Sequence, residues 1–173
     1  MIKITGLLIV FISSIFAGYV LGNDVKFRVE ELIYVKKLFL IFRGELDYKN
    51  AMLPDAFMAV AIRARNPYDK VFSELSKATE ENCTESMSVV FRREIDKNLL
   101  CNSYLKKEDI QRIKEIGDTL GYQNKEMQLA NIDLFIERLD VLIGEEQSKM
   151  NDTIKVYRTM SMMTGLFIAI VLL

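Results

Sequence analysis

Residues 4–22 read ITGLLIVFISSIFAGYVLG, and residues 23–48 run straight on as NDVKFRVEELIYVKKLFLIFRGELDY. The first part is nineteen residues without a charge. At about 1.5 Å of rise per residue, a helix of that length just spans a hydrocarbon core. In the second part Val25, Val29, Leu32, Val35, Phe39, Phe42 and Leu46 follow one another at spacings of 4, 3, 3, 4, 3 and 4. That is one apolar stripe on a helix, so the stretch reads as a helix leaving a membrane and ending near Asn50. A cleaved signal peptide is the competing reading, with Lys3 as its charged start and Val20-Leu21-Gly22 as a tolerable cleavage site. The apolar stretch exceeds a usual signal core, and the helical pattern continues out of it. A retained anchor is the better reading.

The whole chain agrees with an α-rich fold. Gly 8 and Pro 2 are too few breakers in 173 residues for an all-β sandwich. Half the residues are hydrophobic and 27% are charged, with a mean hydropathy of +0.12. A disordered tail, a collagen-like chain and a disulfide scaffold are excluded. His is 0, which removes Ser-His and Cys-His nucleophile pairs and His-containing zinc sites. The net charge of −1 lacks the basic surplus of a nucleic-acid binder.

A second uncharged run, TMSMMTGLFIAIVLL, occupies residues 159–173. It is short for a span: it crosses if Lys155 and Arg158 snorkel and the terminal carboxylate reaches the far headgroups, and a surface-lying helix is the competing reading. Residues 1–22 are thus expected as an N-terminal transmembrane anchor, 23–158 as a helical bundle and 159–173 as a C-terminal transmembrane segment. Lys26, Arg28, Lys36 and Lys37 follow the first span, and Lys149, Lys155 and Arg158 precede the second. The positive-inside rule puts Asn23–Arg158 in the cytoplasm and both termini outside. There Cys83 and Cys101 are expected as reduced thiols packed like small hydrophobes. The sequons at Asn82 and Asn151 would go unmodified in that compartment.

Asn23–Arg158 holds 24 acids against 22 bases, since only Lys3 of the 23 lies outside it. It reads as six helices forming an antiparallel bundle. A second helix runs from Pro54 to about Arg65 with Ala56, Val60 and Ala61 inside, and a third from Pro67 to about Glu81. A fourth is capped by Thr84 or Ser86 and buries Val89, Val90, Ile95 and Leu99. A fifth follows Ser103 and carries Ile110, Ile113, Ile116 and Leu120. The last starts near Asn124 with a stripe of Leu129, Ile132, Ile136, Leu139 and Ile143.

No catalytic, cofactor or metal site emerges from the residue pattern. Gly117-Asp118-Thr119-Leu120-Gly121 lacks the Lys and Ser/Thr that a phosphate-cradling loop needs. It reads as a structural turn at a helix C-terminus, with Gly121 supplying positive φ. Glu45, Asp47 and Tyr48 close the first helix. Adjacent acids there point about 100° apart and do not converge on a metal or a substrate. Carboxylates at a helix C-terminus oppose its dipole, so either an internal Arg or Lys or a basic partner surface compensates them. Ser14, Gly18 and Gly22, and Gly165 and Ala169, recur at spacings of four in the two apolar runs. Small residues at that spacing let membrane helices approach closely. The methionines near the C-terminus read as lipid-facing or core filler.

Two groups of residues carry a family resemblance over nearly the whole chain. One is Glu45-Leu46-x-Tyr48 followed by Leu53, Ala56, Ala61 and Pro67. The other is the Gly117–Gly121 turn followed by Gln128, Ile132, Leu134 and Leu139. In these the chain resembles the stage III sporulation protein AB family of endospore-forming bacteria. The resemblance implies a mother-cell membrane protein of the channel or secretion complex linking mother cell and forespore. It implies a cytoplasmic domain similar to the platform proteins of type II secretion and type IV pilus machines. The implied partner is the secretion ATPase of that complex, stage III sporulation protein AA, with the complex's other subunits and the forespore protein Q around it. Glu45, Asp47 and Tyr48 are the candidate contact with that ATPase. Self-association of the chain is left open. No enzymatic activity, no cofactor and no nucleic-acid partner is implied. The competing layout is a membrane-bound sensor with its helical domain between two spans. That layout needs the domain outside the cell.

Overall fold

The computed structural model describes residues 2–49, 51–80, 86–120 and 124–172. Among them the chain is all-α, with six helices and no strand: α1 (Ile2–Tyr48), α2 (Leu53–Arg63), α3 (Tyr68–Glu80), α4 (Met87–Leu99), α5 (Lys107–Gly117) and α6 (Lys125–Leu172). Gly121, Cys83 and Thr84 lie outside the described residues, as does the side chain of Ala169. Packing divides the chain into two units, one of Met1–Glu30 with Ile143–Leu173 and one of Glu31–Leu142.

The helix ends of the second unit follow local chemistry. α1 stops at Tyr48, and the Ala51 N–H reaches back to the Glu45 carbonyl at 3.2 Å. Met52 is extended and Pro54 sits in the first turn of α2, where its missing N–H costs nothing. Ser103 precedes α5, as expected. Its hydroxyl donates to the Leu99 carbonyl at 2.7 Å and closes α4. The cap of α5 comes from inside the helix, where the Asp109 carboxylate accepts the Lys106 N–H at 3.0 Å.

The core of this unit gathers the expected stripes. Leu32, Val35, Phe39, Phe42 and Leu46 of α1 are buried, as are Ala56, Val60, Ile95, Leu99, Ile110, Ile113, Ile116, Ile132 and Leu139. Five phenylalanines sit at its centre. Phe42 stacks on Phe57 at 4.8 Å, and Phe39 meets Phe135 at 4.6 Å and Phe72 at 6.3 Å. Each buried ring contributes about 1.5–3 kcal/mol. The stripe of α4 needs correction. Phe91, Ile95 and Leu99 at spacings of four set its inner side, which leaves Val89 outside at 52% exposure. On α6, Leu129 and Ile136 are only half-buried, and Phe135 takes the central place.

In the first unit the start of α1 lies against the end of α6. Ser14 donates to the Ser161 carbonyl at 2.6 Å, and Arg28 pairs with Glu146 at 2.5 Å. These contacts run in opposite chain directions, so the two segments are antiparallel. One segment among the described residues, within Ile9–Tyr48, is long and apolar enough to cross a membrane.

Candidate functional site

The three residues closing α1 differ in their surroundings. Glu45 is buried, and its Oε1 accepts from Lys49 Nζ and from Arg63 Nη1, both at 3.0 Å. The Lys49 ammonium beside it, with Arg63 behind, holds its carboxyl below the usual carboxylate range. Asp47 accepts from Arg43 Nη1 at 3.1 Å, and the same guanidinium reaches Asp133 of α6 at 2.5 Å. The charges that oppose the dipole of α1 are therefore compensated from within the chain. Tyr48 is different, at 85% exposure. Met52 and Ile62, on the neighbouring turn and helix, are 76% and 78% exposed. Arg63, the residue after Ile62, bridges α2 to Glu45 near the end of α1. The sequence pointed to the acids. The apolar side chains beside them carry more free surface, and no periodicity marks those positions as special.

The Gly117 turn works by packing. A Cβ on Gly117 would lie 2.6 Å from Phe91 Cδ1, so glycine is required there for close approach of α5 to α4. No positive φ is involved at Gly117. Asp118 follows as the C-cap, and its carboxylate gathers three donors from α4. They are the Ser88 hydroxyl, Arg92 Nε at 3.2 Å and Arg92 Nη2 at 2.5 Å. These hydrogen bonds, Arg92 first, hold the Asp118 carboxyl below its ordinary range. The distinctive motif is thus a tie between two helices.

The small residues of the apolar runs meet in the first unit. A Cβ on Gly18 would fall 2.5 Å from Ser161 Cβ and 3.0 Å from the Tyr157 carbonyl. One on Gly165 would fall 3.0 Å from Ser14 Cβ, and Gly22 faces Ile154. Arg158 lies over the Tyr19 ring at 5.5 Å.

Two polar features escape a sequence reading. Buried Glu31 accepts the Tyr68 hydroxyl at 3.0 Å and the Tyr104 N–H at 2.6 Å, tying α1 to α3 and to the loop before α5. Burial, with this carboxylate alongside, pushes the Tyr68 phenol above its ordinary range. Beside it the Tyr34 hydroxyl accepts the Arg65 N–H at 2.7 Å, under the Arg65 guanidinium. Glu31 looks like any surface acid in the sequence. Its only signal is its place between Val29 and Leu32 on the buried side. Cys101, expected to pack, is exposed, because it lies in the turn after α4.

Among the described residues, an all-α fold with one helix near its start that is long and apolar enough to cross a membrane defines the class: a helical protein carrying a candidate membrane span. Within that class the chain belongs to the stage III sporulation protein AB family, whose model matches residues 3–173. It is a family of sporulation proteins. The chain is similar to stage III sporulation protein AB of Bacillus subtilis (strain 168), at 18% identity over 173 residues and the full length of both. It is also similar to a solved structure of a stage III sporulation protein AB, with a TM-score of 0.62 and 19% identity. That likeness covers 72% of this chain and 96% of the other, and it shows a shared fold.

Proposed function

We propose that the chain is a non-enzymatic membrane platform of the channel complex between mother cell and forespore. Helices at both ends hold it in the mother-cell membrane. Residues 23–158 form an antiparallel helical bundle on the cytoplasmic side, where they engage the secretion ATPase, stage III sporulation protein AA. Family membership supports the sporulation role. The observation that carries the membrane reading is the antiparallel pairing of Ser14, Gly18 and Gly22 with Gly165, Ser161 and Ile154. Two helices crossing one bilayer in opposite directions meet in this way, through small residues. Their other sides bear exposed Ile12, Phe16, Phe167 and Ile170, suited to lipid. The cations following the first run and preceding the second support the cytoplasmic placement. Exposed Tyr48, Met52 and Ile62 offer the ATPase an apolar contact beside Asp47.

Exposed Cys101 tests the topology in the full chain carrying Cys83→Ser. In vegetative cells expressing it, an impermeant maleimide should leave Cys101 unmodified until the cells are permeabilised. Modification in intact cells would favour the sensor layout and overturn the platform.

A further inference from the structure

α1 and α6 lie side by side within the second unit, joined by Lys36–Asp140 at 2.5 Å, Phe39–Phe135 at 4.6 Å and Arg43–Asp133 at 2.5 Å. The residue numbers of these partners add to 174 or 176, which fixes which positions stand level on the two antiparallel helices. Each helix also shows apolar side chains on the side away from its buried stripe. On α1 these are Ile33 and Leu40, 41% and 47% exposed and seven residues apart. On α6 they are Leu134 and Val141, 45% and 60% exposed and also seven apart. Seven residues are two turns, so each pair shares one face of its helix. Ile33 stands half a turn round from Phe42, and Leu134 half a turn round from Ile143, so the four look outward from the core. Exposed Lys37 lies between the first two and exposed Glu137 between the second two.

The geometry points to a second copy of this chain as the occupant of that outer face. A two-fold axis parallel to α1 and lying in the face sets α1 of one copy against α6 of the other at the same level. Ile33 then meets Val141 of the second copy, Lys37 meets Glu137, and Leu40 meets Leu134. All three pairs add to 174, the register that Phe39–Phe135 sets inside the chain. The face is therefore complementary to itself in charge as well as in apolar character. A glycine stands at the next rung. Nothing lies within 4 Å of a Cβ built on Gly44, so the chain's own packing does not require glycine there. Its level counterpart, Ala130, is exposed and small, and the two together allow close approach of the helices. The operator leaves α1 pointing the same way in both copies, which two chains anchored in one membrane require. That last point rests on the membrane reading; the register and the charge match do not.

The test uses the full chain in mild detergent, with Cys83→Ser and Cys101→Ser. Leu40→Cys on one tagged copy and Leu134→Cys on another should be joined by a short bis-maleimide, while Leu40→Cys alone should give little product. Lys37→Glu should weaken self-association about a hundredfold, and so should Glu137→Lys, because the two-fold axis places two like-charge contacts in each dimer, each of the order of tenfold. The two changes together should restore it. Circular dichroism confirms that each variant is folded. A folded chain that is monomeric at high concentration, a double variant no better than the singles, or a Leu40→Cys product with a different protein would each overturn the proposal. None of these results depends on topology, so the Cys101 experiment can fail or succeed separately.

Discussion

At the scale of single residues, the Gly117–Asp118 pair shows what a conspicuous motif conceals. A glycine that ends a helix and one that admits Phe91, twenty-six positions earlier, look alike in sequence. Gly117→Val should destabilise the folded chain by about 1–3 kcal/mol through overpacking against Phe91, measured by urea denaturation. An unchanged midpoint would mean that Phe91 moves away freely. Asp118→Asn should cost about 0.5–1 kcal/mol at neutral pH, because the Arg92 fork lies at a half-exposed site. The pH dependence has a definite sign. The folded carboxyl titrates below its ordinary value of 3.8, so its contribution is present above that value and is lost as pH falls through the folded one. The difference between parent and Asp118→Asn should hold steady from neutrality to about pH 5 and shrink only as pH falls below 3.8 towards the lower folded value. A gap that widens in acid would contradict the assignment.

Whole elements were legible where their periodicity was strong. The 4-3-3-4-3-4 stripe gave α1, and the Ile110–Ile113–Ile116 repeat gave α5. The misses fall where tertiary contacts choose among equivalent options. Val89 is as apolar as Val90, but Phe91 and Ile95 decide which side turns inward. Glu31 was invisible because its partners, Tyr68 and the Tyr104 N–H, come from elsewhere in the chain. Glu31→Ala removes the acceptor of the buried Tyr68 hydroxyl and a hydrogen bond of the part-buried Tyr104 N–H, and should cost about 2–3 kcal/mol. Hydrogen exchange should show the Tyr104 amide losing protection well before the rest of the unit. Equal protection in parent and variant would show that the tie is idle. The small residues of the apolar runs allow a parallel test. With Cys83 and Cys101 replaced, Ser14→Cys with Gly165→Cys should oxidise readily to a disulfide in membranes. Adding Gly18→Leu should cut the yield severalfold by pushing Ser161 away. An unaltered yield would mean that this packing is not the one in the bilayer.

For the whole molecule, the sequence carried the α class through its helix-period stripes, and the family through a resemblance that the match over residues 3–173 bears out. It did not carry the nature of the contact surface. Glu45 and Asp47 drew attention as charges at a helix end, and the fold answers them with Lys49, Arg63 and Arg43. Reversing Glu45 would therefore place a cation beside two others and damage the fold before it reported on any partner. The exposed tyrosine is the cleaner probe. The most direct measurement is the affinity of full-length chain, in detergent or nanodiscs, for purified stage III sporulation protein AA, with Tyr48→Ala alongside. The platform account predicts a saturable complex, weakened about tenfold by Tyr48→Ala at an unchanged melting temperature. A folded, membrane-inserted chain that shows no binding to the ATPase, with or without other subunits of the complex, would contradict it.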